Sequence, residues 1–586
     1  GYPIYTSEAQ CQDCYKCVRR CPVKAIRVHA EHAMVLPELC VACGGCVEVC
    51  PAHAKKVRSD MGRLHHLLDR GRAVYVSLAP SWVSEFEGIK PGQMVAALRR
   101  LGFAGVSETA LGAQAVSAAL ARDFKAGTAH GAVISSACPV VVDFIQKYLP
   151  ELSPGITKLH SPLLAHTKIL RGAFGDSIAV VFFGPCIAKK NEADSHPDLL
   201  NLALTFRDLH ELFERERIDP ASLSPGAEDR FVPHAAQEGA LYPIERGMIR
   251  TIETLGVKNE AGFVTVSGLN ALHRALKGLE LDPNHPPVFI EALACEGGCV
   301  NGPCTAVKNS TLMRRLRIEE AADIPDSITD RPSEPDITQA YPPAPVTEKI
   351  YSEEEMIEAL SSIGKVSARD ELNCAGCGYG TCREFASALL SGRSEPAMCV
   401  SHMRKQALKK ANILLRRMPS GVVIVDENLR IVECNERFAK MFGERTMEIY
   451  EVCAGLKGCM LEKVVPLGDM IRTALRTGQE IHYDHYRIGR RLLNITLFAL
   501  EPRKIVGAIL LDVTTQELQR DQIAQRAQEV IKRNLSTVQE IACRLGEHMA
   551  ETEILLRSIA EGYGSDADVS QIGPSPLLPE SSHESE

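Results

Sequence analysis

Cys11-Gln12-Asp13-Cys14-Tyr15-Lys16-Cys17-Val18-Arg19-Arg20-Cys21-Pro22 places four cysteines two, two and three residues apart and closes them with a proline. The same spacing returns as Cys40, Cys43, Cys46, Cys50 and Pro51. Disulfides join thiols that are distant along a chain, whereas these spacings aim several thiolates at one point. Thiolates select soft metal centres. The chain holds 21 cysteines, and most of them sit in short clusters of this kind.

The doubled run resembles the bacterial ferredoxin pattern, in which the fourth cysteine of each run ligates the other cluster. The resemblance implies one [4Fe–4S] cluster on Cys11, Cys14, Cys17 and Cys50 and a second on Cys40, Cys43, Cys46 and Cys21. Zinc is the alternative; two full runs, each followed by proline, argue against it. Gly44-Gly45 lets backbone amides approach the sulfurs. The function implied is electron relay to a deeper site.

A chain of 586 residues has room for about three to five domains. Its net charge of −8 gives no general reason to expect nucleic acid, and Trp82, its single tryptophan, offers no stacking platform for bases. No run approaches the ~18 apolar residues of a membrane span, and Gly1-Tyr2-Pro3-Ile4 does not open a secretory signal. A cytoplasmic protein is expected.

The fold class expected is α/β and α+β multidomain. A ferredoxin-like module occupies residues 1–60. Strand-length apolar runs at 74–78, 178–183 and 288–292 alternate with helical stretches such as Met94 to Leu101, which predicts α/β units on a mainly parallel sheet over 61–322. Residues 323–347 are rich in Pro, Asp and Ser and read as a linker. A small cysteine domain (348–410) and an α+β segment (411–515) follow. The stretch 516–563 reads as an amphipathic helix, with Ile531, Leu535, Val538, Ile541, Ala542 and Leu545 on one seam. Residues 564–586 read as a disordered tail.

Within the α/β region lie Ser135-Ser136-Ala137-Cys138-Pro139, then Gly184-Pro185-Cys186-Ile187-Ala188-Lys189-Lys190, then Glu291-Ala292-Leu293-Ala294-Cys295-Glu296-Gly297-Gly298-Cys299. The first two follow strand-like runs, where an α/β sheet places ligands. One buried cysteine is usually a small hydrophobe, but four on three such loops could close around one cubane. In this order the segments resemble the three active-site motifs of the [FeFe] hydrogenases, and the resemblance spans residues 1 to 320. It implies a two-lobed H-cluster domain. Cys138, Cys186, Cys295 and Cys299 would ligate a cubane, and Cys299 would bridge to a di-iron unit carrying CO, cyanide and a dithiolate. Pro185 would line that cofactor, and Lys189 would hydrogen-bond a cyanide, as suits an ammonium beside a negative ligand. Lys190 is expected to be structural or at the surface.

The departures from that family bear on rate. Where its vigorous members place a proton-carrying cysteine before the first ligand, this chain has Ala137. The stretch Ala110 to Ala121, where the family supplies glutamates, has no Asp or Glu. Methionines of the family are replaced by Gly184 and Leu293. Cys304, in Gly302-Pro303-Cys304, has no assigned role.

Cys374, Cys377, Cys382 and Cys399, with Gly376 and Gly378 between them, resemble a small [4Fe–4S] domain, with structural zinc the alternative. The stretch Met418 to Phe438, with its two-strand start, Asp426 turn and Asn435-x-x-Phe438, resembles a PAS sensor domain. Cys434, Cys453 and Cys459 within it read as ordinary thiols. The reading is a sensory [FeFe] hydrogenase, an iron hydrogenase of low turnover. It would act on H2 and protons, depend on maturation factors for the di-iron unit, and signal to a redox partner or a kinase- or phosphatase-type regulator. No nucleic acid or membrane partner is expected, and the PAS region and C-terminal helix leave room for a homodimer. The rivals are the catalytic subunit of an electron-bifurcating or ferredoxin-linked hydrogenase, and a non-enzymatic Fe–S redox sensor without the di-iron unit.

Overall fold

The computed structural model describes residues 1–257, 262–282, 284–306, 309–325, 328, 335–453, 455–489, 491–514 and 528–538, together with 552, 555 and 556. The chain divides into two compact units, Gly1–Arg404 and Lys405–Glu586.

The first unit opens with the doubled cysteine run. Ile4–Thr6 pairs antiparallel with Lys55–Val57, and Ile26–His29 forms a hairpin with His32–Val35. Each run winds into a short helix, Lys16–Arg20 and Gly45–Glu48. Asp13, Tyr15, Ala42 and Gly44 take positive φ in the loops that precede them.

Two parallel sheets follow, as the alternating pattern predicts. Gly105–Glu108, Val74–Leu78, Ala179–Gly184 and Leu202–Thr205 lie side by side in that order, and Gly262–Ser267, Val288–Leu293 and Ala132–Ile134 form the second sheet. Parallel strands covered on both faces read as unbroken apolar runs, and Ala179–Gly184 is buried at every residue. The helix Pro91–Arg100 covers the stretch predicted from Met94 onward. The helix Ala110–Lys125 is buried from Ala110 to Ala121. It approaches the helix Pro162–Phe174 so closely that a Cβ on Gly112 would strike the Pro162 carbonyl oxygen and the His166 amide. His166 bridges Ser77 (2.8 Å) and Ser107 (2.8 Å) beneath it, and burial lowers its pKa to about 3.

The stretch read as a linker is held along its described part. His160 N donates to Ile337 O (2.7 Å), Gln339 N to Lys158 O (3.0 Å) and Val346 N to Lys147 O (3.1 Å), and Ile337 is buried. Backbone pairing, which composition does not report, makes these residues a strap and not a free tether. Beyond it, Glu353–Ser362 starts at a Ser352–Glu355 capping box, and Cys382–Leu390 is capped by Thr381.

The second unit is a five-stranded antiparallel sheet in the order Ile431–Cys434, Gly421–Asp426, Ile505–Asp512, Arg491–Glu501, Ile481–Ile488. Helices Glu436–Met441, Glu444–Val452 and Gly468–Thr477 accompany it. Asn435 organises the corner. Its Oδ1 accepts from Val422 N (2.8 Å) and Phe438 N (2.9 Å), and its Nδ2 donates to Ser420 O (2.8 Å) and Leu415 O (3.0 Å). Residues 528–538 are helical. The rest of the helix expected over 516–563, and the tail 564–586, lie outside the described residues apart from the three single positions. Among the described residues, no helix is long and apolar enough to cross a membrane.

Asn435→Ala should remove a helix cap and leave buried amides and carbonyls unpaired. It is expected to destabilise this unit by about 2–4 kcal/mol, read as an earlier unfolding transition in urea.

Candidate metal centre

Each of the three central cysteine segments begins where a parallel strand ends, the third as well as the first two. Ala132–Ile134 runs into Ser135, whose amide bonds Ile290 O (3.0 Å), and Cys138 caps the helix Pro139–Tyr148. Ala179–Gly184 delivers Pro185 and Cys186 just before the helix Ala188–Ser195. Val288–Leu293 delivers Cys295 and, through Gly297 (φ +77°) and Gly298 (φ +99°), Cys299. A Cβ on Gly298 would land on the Pro243 carbonyl oxygen, so glycine is required where the loop turns back.

Three of the four thiols, Cys186, Cys295 and Cys299, have raised pKa values, through burial first and neighbouring thiols next. Burial pushes Cys186 up to about 11, with Cys138 adding to it. Cys295 and Cys299 rise further for the same reasons. Lys189 opposes the rise at Cys186 and Cys299. Thiols shifted in this way stay protonated unless a cationic group holds them as thiolates. Among the described residues, no three His, Cys, Asp or Glu side chains close on a point that one metal ion could occupy. A cubane takes four thiolates at separate iron corners, and this all-cysteine donor set fits it. Cys304 is buried, its amide bonds Pro185 O (3.1 Å), and burial raises its thiol to about 12. It packs as an un-ionised small side chain.

Lys189 and Lys190 part company. Lys189 Nζ donates to Glu192 Oε2 (2.5 Å) and Ser161 Oγ (3.1 Å) beside the thiols. Glu192 and Ser161 were not singled out in the sequence, although Glu192 stands one helical turn beyond Lys189. Lys190 is not at the surface: it is 1% exposed, with Nζ 3.0 Å from Asp60 Oδ2 and 3.5 Å from Asp208 Oδ2. It fastens the end of the ferredoxin-like module to the α/β region. Ser81 Oγ is buried with no hydrogen-bond partner. It stands just beyond the strand Val74–Leu78, which pairs with Ala179–Gly184. An orphaned hydroxyl there suits a polar ligand of a bound group, and only tertiary structure reveals it. At Gly184, a Cβ would press on Phe182 and Ala79, so a larger residue has no room.

The hydroxyls just ahead of Cys138 are hydrogen-bonded. Ala137 N donates to Ser135 Oγ (3.1 Å), and Ser136 Oγ donates to Leu159 O (2.8 Å). On the buried helix Gln114 donates to Glu238 Oε2 (3.2 Å), and the Ser117 hydroxyl meets Tyr242 OH (2.8 Å) and Thr251 Oγ1 (2.6 Å). Glu108, just ahead of that helix, has its pKa raised by burial to about 7 and accepts from Ala236 N (2.8 Å). Glu291 is occupied by the amides of Arg246 (2.8 Å) and Met248 (2.9 Å) and by Thr265 (2.7 Å).

The other cysteines gather as sets. Backbone amides reach sulfur at Ala25–Cys21 (3.3 Å), Ala42–Cys40 (3.3 Å) and Ala54–Cys50 (3.2 Å). Such donors stabilise thiolates and tune a cluster bound to them. Cys374, Cys377, Cys382 and Cys399 line one small cavity. In the PAS-like unit Cys434 donates to Gly455 O (3.1 Å) and is buried.

Comparison with known families places this geometry. Residues 72–303 match the family described as "Iron only hydrogenase large subunit, C-terminal domain" and residues 3–51 the "4Fe-4S dicluster domain". Residues 370–401 match "Putative Fe-S cluster" and residues 412–472 the "PAS domain". The chain thus joins an iron-hydrogenase large-subunit domain to iron–sulfur and PAS domains. Among individual relatives, it is 26% identical over 357 residues to the NADP-reducing hydrogenase subunit HndD of Solidesulfovibrio fructosivorans, covering 52% of this chain and 57% of that one. It is 25% identical over 360 residues to the periplasmic [Fe] hydrogenase large subunit of Nitratidesulfovibrio vulgaris, covering 51% and 85%. The chain therefore spans little more than half the length of the first of these relatives. Among solved structures, [FeFe]-hydrogenase HydA1 from Chlamydomonas reinhardtii aligns at 20% identity with a TM-score of 0.35, covering 44% of this chain and 88% of that one. The PAS domain of histidine kinase ThkA aligns at 18% identity with a TM-score of 0.14, covering 16% and 98%.

Two substitutions test the frame around the thiols. Gly298→Ala should displace Cys299 and lower the iron bound after cluster reconstitution, measured as iron and sulfide per chain. At Asp60, burial pushes the carboxyl up, but Lys190 and Arg58 outweigh it and hold it below its ordinary value. A depressed carboxylate contributes stability above its unfolded pKa of about 4, lost as pH falls through the folded value. Lys190→Met should therefore cost about 3–5 kcal/mol at pH 7 by stranding buried carboxylates. It should also flatten the loss of stability below about pH 4, both read from urea unfolding.

Proposed function

We propose that this chain is a sensory iron hydrogenase: a protein that binds and slowly, reversibly splits H2 and reports the outcome through its PAS domain. Cys138, Cys186, Cys295 and Cys299 hold the cubane of an H-cluster, with Cys299 the bridge to the di-iron unit. Pro185 and the Ser81 hydroxyl line that unit. Lys189, oriented by Glu192 and Ser161, presents an ammonium to a cyanide ligand. When bound, the H-cluster supplies the heterolytic splitting of H2 into protons and electrons.

The observation that carries the sensory reading is Ala137. A methyl group stands where a proton must enter or leave, and the helix Ala110–Lys125 presents no carboxylate from Ala110 to Ala121. General acid–base assistance is worth ~10²–10⁴-fold in rate, so a site without it suits detection of H2 better than bulk turnover. The cysteine sets of the ferredoxin-like module and of Cys374–Cys399 hold [4Fe–4S] carriers for the electrons. The PAS domain passes the state on to a kinase- or phosphatase-type regulator, with pairing of two chains through the PAS region and C-terminal helix. The many reduced thiols suit the cytoplasm, and maturation factors supply the di-iron unit.

Infrared spectra of the chain matured with the di-iron cofactor should show CO and cyanide bands. Hydrogen oxidation with soluble acceptors should be far below that of a metabolic hydrogenase, and Ala137→Cys should raise it only modestly because the rest of the proton path is missing. Absence of the bands would favour a plain iron–sulfur redox sensor. Fast turnover of the unmodified chain, or full rescue by Ala137→Cys, would favour an ordinary catalytic subunit.

A further inference from the structure

We propose that Lys24 is an electrostatic junction serving two cysteine sets at once, that of Cys21 in the ferredoxin-like module and that of Cys377 in the small domain. The inference rests on the reading that both sets hold iron–sulfur clusters, and it assigns Lys24 as a positioning charge for both.

The small domain is docked on the module's backbone. Gly378, at φ +96°, lies so close that a Cβ there would sit 2.9 Å from Val18 Cγ1 and 3.2 Å from Arg19 N. Arg393 O accepts from Val28 N (2.8 Å), and Glu395 Oε1 accepts from Ala30 N (2.8 Å). Tyr379 is 3% exposed and its hydroxyl accepts from Ser394 (2.8 Å). Cys21, Tyr379, Cys382 and Cys399 belong to one continuous core, with Cys377 packed against it.

Lys24 stands at this seam. Its backbone takes a φ of +50°, its Nζ donates to Val18 O (3.3 Å), and the same atom lies 5.9 Å from the centre of the Tyr379 ring. Burial lowers the pKa of the half-buried ammonium, and Cys21, the Glu384 carboxylate and Cys377 lie near enough to counter part of that. A cation held at a partly desolvated seam acts on charges on both sides more strongly than it would in water. A cluster gains one negative charge when it takes up one electron, so an ammonium shared in this way favours reduction on both sides. The carbonyl bond and the ring hold it there whether or not either side is reduced.

The test is a redox titration of the full chain reconstituted with iron and sulfide, followed by electron paramagnetic resonance. Lys24→Gln should lower the midpoint potentials of two clusters together at unchanged iron content, and Lys24→Arg should return both toward the wild-type values. Iron retained with either potential unmoved would overturn the junction. A second readout needs no variant: in the fully reduced chain the Cys21 and Cys377 sets should broaden each other's signals, and independent signals would overturn it too. Wild-type chain that takes up no iron at these sets would overturn the cluster reading itself, a result separable from the others by iron analysis.

Discussion

Burying sulfur that must be ionised is the constraint on which the rest of this protein depends. A thiolate in an apolar interior is costly, and four of them within reach of one another cost more than their sum because each raises the next. Cys186, Cys295 and Cys299 all lie far above the usual thiol range for this reason. Such thiols remain protonated by themselves, and a multivalent cationic group is what would let them ionise together. The same tension recurs in smaller form where backbone amides of Ala25, Ala42 and Ala54 point at sulfur.

Rigid elements surround that centre. Parallel strands end on its loops, so every cysteine is held by a sheet and a following helix and not by a free loop. Two devices lock the frame. Glycine at 112 lets two helices touch backbone to backbone beside the buried Ser77–His166–Ser107 chain. The Lys190 ammonium sits between Asp60 and Asp208 with no exposure to solvent. A buried ion pair adds little net stability but resists any rearrangement that would part its charges. It therefore sets where the ferredoxin-like module meets the α/β region.

Carboxylates of the α/β region are already engaged. Glu291 spends its carboxylate on two amides and a hydroxyl, and Glu238 accepts from Gln114. Glu108 has its pKa raised by burial to about 7, so it changes charge near neutrality.

Much of this was legible in the chain. The doubled cysteine run, the three central segments and the Asn435 corner are short-range patterns, because ligand spacing, strand periodicity and helix capping are local physics. The strand-length runs at 74–78, 178–183 and 288–292 and the two-strand start ahead of Asn435 became strands for the same reason. Long-range partners were not legible. Nothing next to Lys190 in the sequence announces Asp60 and Asp208, so it read as an ordinary lysine. Nothing near Ser81 marks its hydroxyl as unpaired, and the composition of 335–347 suggested a tether where backbone hydrogen bonds make a strap. The sequence by itself determined which sulfur atoms cluster along the chain and that Ala137 and an acid-free 110–121 stand where they do, since both are matters of residue type at a given spacing. Only the tertiary structure decided which charges face those atoms, because a Coulombic contact depends on distance in space and is blind to distance along the chain.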